Sequence, residues 1–150
     1  DLADGTIKNS IGIATLLQEG IGDTIRVSLT AAEEEEVKTG IKILEALKLR
    51  ESRVEIISCP TCGRTQIELA SLVEQVKTLT EGKRFCKNLK IAVMGCVVNG
   101  PGEAGECDFG IAGGKEQSIL FKNGEKLKVI KNDCIMPEMQ QLLMEYYEKD

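Results

Sequence analysis

Apolar residues recur every three or four positions in residues 6–19, a pattern that predicts a helix. The positions at this spacing are Ile7, Ile11, Ala14 and Leu17. Gly20 follows directly and is typical of a helix end. The chain is therefore expected to open on an amphipathic helix.

The next segment, residues 23–30, alternates apolar and polar positions and predicts a strand. Its apolar side carries Ile25, Val27 and Leu29, and its polar side carries Arg26, Ser28 and Thr30. Thr30 followed by Glu33 fits a capping box, so we expect a second helix that continues through Leu47. Helix, strand and helix make a piece of α/β architecture that is too small to be complete.

From residue 51 onward, short apolar runs alternate with stretches of helical periodicity. Strands are predicted at 53–58, 89–95, 108–113, 118–122 and 126–130, and helices at 66–79 and after Pro137. The dipeptide Asn123–Gly124 separates the last two strands and is a strong hairpin signal. The expected fold class is an α+β domain over residues 51–150, preceded by α/β elements over residues 1–50.

Composition narrows the possible functions. The net charge of −5 over 150 residues disfavours nonspecific binding to nucleic acid or to an anionic membrane, and no apolar run approaches the ~20 residues of a membrane span. The chain has no histidine, which excludes Ser–His and Cys–His catalysis and imidazole metal ligands. It also begins at Asp1 without a methionine, so we expect a fragment of a longer polypeptide.

Six cysteines remain as soft ligands: Cys59, Cys62, Cys86, Cys96, Cys107 and Cys134. A CxxC pair in a chain without a visible signal peptide favours metal or redox chemistry over disulfides. Cys59 and Cys62 follow a predicted strand, in a turn that Pro60 stiffens and Gly63 relaxes. From this turn alone, a structural zinc site, an iron–sulfur site and a redox dithiol all stay open, although the second CxxC or histidine pair that zinc normally recruits is missing.

A second thiol-bearing loop follows another predicted strand. Cys96 ends that strand as Cys59 ends its own, so the two turns can lie at one edge of one sheet. The residues "VVNGPGEAGE" come next, and their glycines allow close backbone approach. Three thiolates with one weaker ligand are unusual for zinc but suit a catalytic cluster with an iron open to substrate. The alternative is that Cys96 is a small buried hydrophobe beside a glycine-rich turn.

Four stretches together resemble one protein family. They read "GTIKNSIGIATLLQEGIGDTIRVSLT", "SCPTCGRT", "MGCVVNGPGEA" and "DFGIAGG", and they resemble the carboxyl-terminal part of the 4-hydroxy-3-methylbut-2-en-1-yl diphosphate synthases, iron–sulfur enzymes of the non-mevalonate isoprenoid pathway. The resemblance covers essentially the whole chain. It implies that residues 1–50 are the last elements of a TIM barrel. It also implies that residues 51–150 form an iron–sulfur domain related to the modules of sulfite and nitrite reductases.

The resemblance also implies a set of site residues. A 4Fe–4S cluster would be held by Cys59, Cys62, Cys96 and Glu103. A carboxylate binds cluster iron more weakly than a thiolate and can be displaced, so Cys96 and Glu103 would carry the catalytic centre. Arg26 and Ser28 match positions that hold the substrate diphosphate, and Asn99 matches an asparagine next to the cluster that touches the substrate. Judged without the family, Arg26 would instead form a strand-edge salt bridge and Asn99 would be a turn residue.

The implied activity is that of an oxidoreductase. Family members reduce 2-C-methyl-D-erythritol 2,4-cyclodiphosphate by two electrons from flavodoxin or ferredoxin, as homodimers in the bacterial cytoplasm or plastid stroma. Most of the barrel is missing here, so we expect no catalysis from this chain alone, and retention of the cluster is left open. Cys86, Cys107 and Cys134 match no ligand position. The rival hypotheses are a zinc-stabilised binding module and a simple iron–sulfur electron carrier.

Overall fold

The computed structural model describes residues 1–98 and 105–148 and divides the chain into two compact units, Asp1–Ser52 and Arg53–Asp150. The first unit contains helix α1 (Leu2–Gln18) and helix α2 (Glu33–Ala46). Helix α1 begins where the Asp1 carboxylate accepts the backbone N–H of Asp4 at 3.0 Å. After α1, Gly20 adopts φ 74°, which fits the predicted helix end.

The predicted helix is confirmed as α1, although two of its four regularly spaced apolar residues are mostly exposed. Ile7 and Ile11 are 59% and 65% exposed, and no residue of α1 is fully buried. The side that meets the rest of the unit is marked instead by Asn9, whose side-chain amide donates to the backbone oxygen of Ser28 at 3.1 Å. Helical spacing therefore identified the helix but not the side that packs.

The strand predicted at residues 23–30 is not formed among the described residues. The predicted alternation of inward and outward side chains is nevertheless present. Val27 is buried while Arg26 and Ser28 are exposed. A strand requires backbone hydrogen bonds to a neighbouring strand. Here, two of the backbone N–H groups bind side chains instead. The N–H of Ser28 donates to Asn9 Oδ1 at 3.3 Å, and the N–H of Leu29 donates to Glu36 Oε1 at 2.7 Å.

The predicted capping box at Thr30 and Glu33 is also wrong. Helix α2 begins at Glu33 after Ala32, and no side chain caps it. Glu36, in the first turn, binds the N–H of Leu29 before the helix, so a carboxylate one turn further along satisfies the incoming backbone.

The second unit is built on a mixed sheet. Among the described residues, five strands form one sheet in the order β1-β2-β3-β4-β5. The strands are β1 (Val54–Ser58), β2 (Leu89–Met94), β3 (Phe109–Ala112), β4 (Gln117–Lys122) and β5 (Glu125–Lys131). Strands β1, β2 and β3 are parallel, and β4 is antiparallel to both of its neighbours, β3 and β5. Helix α3 (Leu69–Thr80) connects β1 to β2, as a parallel pair requires.

The hairpin prediction is confirmed. Asn123 and Gly124 join β4 to β5 with φ 52° and 78°, the left-handed pair of a type I′ turn. The last helix, α4 (Ile135–Met144), begins two residues before Pro137 rather than after it. Proline is tolerated there because the N–H groups of a first helical turn have no partner within the helix.

The core lies on both faces of the sheet. Helices α3 and α4 cover one face with Val76 and Met139, both 0% exposed. The sheet residues in the same cluster include Ile91, Phe109, Ile111 and Leu120. The opposite face carries a second cluster of Ala92, Met94, Cys107, Ala112 and Phe121.

The fold thus combines helices with a mixed sheet, as the α+β prediction requires at its coarsest level. The finer prediction, a relation to sulfite and nitrite reductase modules, stays a prediction. In the described part of the chain, no helix has the length and apolar character needed to cross a membrane.

Candidate metal centre

The two thiol-bearing turns lie at the same edge of the sheet. Strands β1 and β2 are parallel neighbours, with Ser58 paired to Val93. Cys59 follows β1 directly, and Cys96 follows β2 after one glycine. Because parallel strands end at one edge, the register alone brings both turns together.

A direct hydrogen bond joins the two turns. The backbone N–H of Gly95 donates to Cys59 Sγ at 3.2 Å. In the return direction, the N–H of Gln66, beyond the CxxC turn, donates to the Gly95 oxygen at 2.8 Å. The bond from Gly95 therefore fixes the Cys59 sulfur at the edge that Cys96 shares, and hydrogen bonds to ligand sulfurs are common in iron–sulfur sites.

The CxxC turn is closed on itself at Cys62. The N–H of Thr65 donates to the Cys62 oxygen at 3.0 Å, and the Cys62 N–H donates to Thr65 Oγ1 at 3.2 Å. The thiol of Cys62 is exposed, and hydrogen bonds from the backbone and then the side chain of Arg64 lower its pKa. The thiolate of Cys62 is therefore easier to form than that of an unperturbed cysteine.

The three thiols differ in their access to solvent. Cys96 is 6% exposed, Cys59 is half-buried and Cys62 is exposed. A group bound by these three thiols would therefore have one side, at Cys96, against protein and the other side, at Cys62, toward solvent.

The chemistry of these donors fits an iron–sulfur cluster, although they do not form a complete ligand shell. Within residues 1–98 and 105–148, no group of three or more histidine, cysteine, aspartate or glutamate side chains is close enough to hold a metal ion. What is in place is three thiols on one sheet edge, one of them bonded to an amide. Thiolates are the usual ligands of iron–sulfur clusters. Asn99 and Glu103, the other predicted residues of this site, lie outside the described residues.

Sequence reasoning missed Thr65 as part of this edge. Besides binding Cys62, its side chain fills the space beside Gly95, where an added Cβ would lie 2.9 Å from Thr65 Cγ2. Thr65 is the last residue of the segment "SCPTCGRT". Its packing role becomes visible only through the three-dimensional contact with Gly95, thirty positions away.

The remaining cysteines lie in other surroundings. Cys107 is 2% exposed in the second core cluster, and burial raises the pKa of its thiol. A buried neutral thiol behaves as a small hydrophobe. Cys86 and Cys134 are exposed.

In the first unit, Arg26 and Ser28 point outward from one backbone segment. Asn9 holds that segment through both backbone groups of Ser28. The salt bridge expected as the alternative for Arg26 is not found with any residue in the described ranges. Arg26 borders a shallow groove with Ile25, Val27 and residues of α2.

Comparison with known families gives two matches along the chain. The model described as the GcpE protein C-terminal domain matches residues 55–145, and the model described as the GcpE TIM-barrel domain matches residues 1–41.

Curated bacterial proteins match over most of the chain. A Clostridium acetobutylicum protein is 56% identical over 135 residues, covering 90% of this chain and 38% of that protein. A Clostridium tetani protein is 56% identical over 132 residues, and a Fusobacterium nucleatum protein is 53% identical over 145 residues. These cover 88% and 96% of the chain and 37% and 40% of the relatives. All three are named 4-hydroxy-3-methylbut-2-en-1-yl diphosphate synthase (flavodoxin), and the chain spans well under half of their length.

Proposed function

The chain belongs to the GcpE family, and from that premise we propose that it is the cluster-bearing part of a 4-hydroxy-3-methylbut-2-en-1-yl diphosphate synthase. The observation that carries the proposal is the sheet edge where the N–H of Gly95 meets Cys59 Sγ, with Cys62 and Cys96 in the adjoining turns. Residues 1–50 would be the last elements of a TIM barrel, and residues 51–150 the iron–sulfur domain.

The proposed reaction reduces 2-C-methyl-D-erythritol 2,4-cyclodiphosphate to 4-hydroxy-3-methylbut-2-en-1-yl diphosphate. The ring C–O bond breaks, one oxygen leaves as water, and two electrons and two protons are taken up. The named relatives are bacterial and carry flavodoxin in their names, so flavodoxin is the proposed donor and the bacterial cytoplasm the proposed setting. The full-length parent would act as a homodimer.

Cys59, Cys62, Cys96 and Glu103 would hold a 4Fe–4S cluster in this proposal. When bound, that group would supply electrons and a Lewis-acidic iron to the substrate oxygen. The chain's own residues prepare the place. The Gly95 amide holds Cys59 Sγ in place, hydrogen bonds from Arg64 lower the pKa of Cys62, and burial of Cys96 keeps water from the inner side.

Arg26 and Ser28 would bind the diphosphate of the substrate, and Asn99 would contact the substrate beside the cluster. A guanidinium and a hydroxyl on one side of a segment suit a multiply charged anion. The two hydrogen bonds between the Asn9 side chain and the Ser28 backbone fix that segment before substrate arrives, which lowers the ordering cost of binding.

Anaerobic reconstitution of the 150-residue chain with ferrous iron and sulfide tests the proposal. We expect a brown protein with about four irons and four sulfides per chain. Reduced flavodoxin should decrease the visible absorption of this protein. A colourless protein that binds zinc tightly would favour the zinc-stabilised module instead. A cluster that forms unchanged when Glu103 is replaced by alanine, but requires Cys107, would favour an all-thiolate electron carrier.

A further inference from the structure

We propose that Thr65 is a positioning residue that locks the two cysteine-bearing turns together at the sheet edge. The contacts of Thr65 are described by the structure, whereas the effect of Thr65 on a bound cluster rests on the proposed function. Thr65 lies three residues after Cys62 and is half-buried. It belongs to no predicted ligand set.

The hydroxyl end of Thr65 holds the CxxC turn. Thr65 Oγ1 accepts the Cys62 N–H at 3.2 Å, while the Thr65 N–H donates to the Cys62 oxygen at 3.0 Å. Both backbone groups of Cys62 are thus bound by one residue. Because Cys62 is exposed, little packing is available to fix it otherwise.

The methyl end of Thr65 holds the other turn. A Cβ built on Gly95 would lie 2.9 Å from Thr65 Cγ2 and 3.0 Å from Oγ1, so the threonine side chain occupies the space that any larger residue would need. Gly95 separates the end of β2 from Cys96, and its N–H is the donor to Cys59 Sγ. The Thr65 side chain therefore helps to set the distance between the two thiol-bearing turns, together with the bond from the Gln66 N–H to the Gly95 oxygen at 2.8 Å.

Only threonine offers both functions at this position. Serine keeps the hydroxyl but lacks the methyl group, whereas valine keeps the branched shape but cannot accept the Cys62 N–H. This allows the two ends of Thr65 to be tested separately in the same 150-residue chain.

The test uses Thr65→Val, Thr65→Ser and the matched control Thr78→Val. Thr78 is exposed on α3, and among the residues that the structure describes its hydroxyl bonds only the helix backbone at Glu74. Two readouts are measured: amide hydrogen exchange of the metal-free chain, and loss of iron to a chelator after anaerobic reconstitution. The electron paramagnetic resonance spectrum of the reduced cluster is recorded alongside.

For Thr65→Val we expect faster exchange at the Cys62 amide, roughly tenfold faster iron loss and an altered spectrum, since outer-shell partners are typically worth 10–100-fold in metal affinity. Thr65→Ser should keep the Cys62 amide protected and lose iron more slowly than Thr65→Val. Thr78→Val should match the unmodified chain. Gly95→Ala should release iron as fast as Thr65→Val, and adding Thr65→Ser should recover part of the loss by removing the nearest atom.

Unchanged exchange and iron loss in Thr65→Val would overturn the positioning role, as would faster iron loss without any change at the Cys62 amide. Failure of the proposed function has a different signature. The unmodified chain would then take up no iron, while Thr65→Val would still speed exchange at Cys62, so the positioning role would stand without the cluster.

Discussion

The two compact units use similar apolar periodicity to different effect. In Arg53–Asp150, apolar residues of α3 and α4 meet a five-stranded sheet, and side chains such as Phe109 and Met139 are fully buried. In Asp1–Ser52, the apolar residues Ile7 and Ile11 of α1 are mostly exposed, and the buried apolar side chains described there are Val27 and Ile43. Spacing along a helix predicts that the helix forms, but burial depends on what the unit offers for it to pack against.

The proposed chemistry divides along the same line. Every proposed cluster ligand belongs to the second unit, while the proposed diphosphate-binding residues, Arg26 and Ser28, belong to the first. Metal retention can therefore be measured on the unit with the dense core, separately from substrate binding.

The largest expected difference between the units concerns their cores. Phe109→Ala should lower the free energy of unfolding of the second unit by about 3–5 kcal/mol, because it removes a fully buried ring that stacks on Tyr146 with centroids 5.7 Å apart. Ile11→Ala, at a 65% exposed position of α1, should stay within about 0.5 kcal/mol.

Urea titration followed by circular dichroism checks this contrast, because helices of both units contribute to that signal. Tyrosine fluorescence recorded in parallel isolates the second unit, which holds both tyrosines of the sequence, Tyr146 and Tyr147. Equal losses from both substitutions would contradict the difference in core density.

Two glycine substitutions should shift stability in opposite directions. An alanine Cβ at Gly110 would lie 2.4 Å from the Ala92 oxygen and 2.6 Å from the Phe121 ring, so Gly110→Ala should cost about 1–3 kcal/mol. Gly12 lies inside α1 with nothing within 4 Å of an added Cβ, so Gly12→Ala should stabilise that helix by up to about 1 kcal/mol. Thermal unfolding by circular dichroism measures both, and a stabilising Gly110→Ala would show that β2 and β3 do not pack as described.

The smallest expected effect concerns one ion pair in each unit. Lys87 pairs with Asp108 in the second unit, and the hydrogen bond to that carboxylate raises the lysine pKa above its ordinary value of 10.5. A raised lysine pKa means that the stabilisation is fully present below the unfolded value and disappears as the pH rises through the folded one.

Lys87→Met should therefore destabilise by less than about 1 kcal/mol at pH 7 to 9, and not at all well above pH 10.5. Lys38→Met, which breaks the i,i+3 pair with Glu35 in α2, should cost about 0.3–0.5 kcal/mol. Urea midpoints across this pH range measure both effects. A larger loss from Lys87→Met at pH 11 than at pH 7 would contradict the assigned pair.

The sequence predicted the second unit better than the first for a physical reason. Each of its strands pairs with the strand before or after it in the sequence. The Asn123–Gly124 turn between β4 and β5 is determined by local backbone preference. The segment at residues 23–30 has the predicted alternation of sides but forms no ladder among the described residues, and side chains of Asn9 and Glu36 bind its backbone at Ser28 and Leu29. Such side-chain contacts leave no periodic signal.

The cysteines of the candidate site could be predicted from the sequence, but the residues that hold these cysteines in place could not. Cys59 and Cys96 could be placed at one sheet edge because each follows a strand. The bond from Gly95 to Cys59 and the contact between Thr65 and Gly95 depend on the β1–β2 register, which spacing along the chain does not determine.

The most direct test of the central proposal is a panel of single Cys→Ser substitutions, with iron and acid-labile sulfide measured after anaerobic reconstitution. Cys59→Ser, Cys62→Ser and Cys96→Ser should each abolish the cluster, while the same change at Cys86 or Cys134, both exposed, or at the buried Cys107 should leave about four irons per chain. Circular dichroism of each metal-free variant verifies that the fold is kept. Retention of a full cluster without Cys59, Cys62 or Cys96, or its loss without Cys107, would contradict the assignment of this sheet edge as the iron–sulfur site.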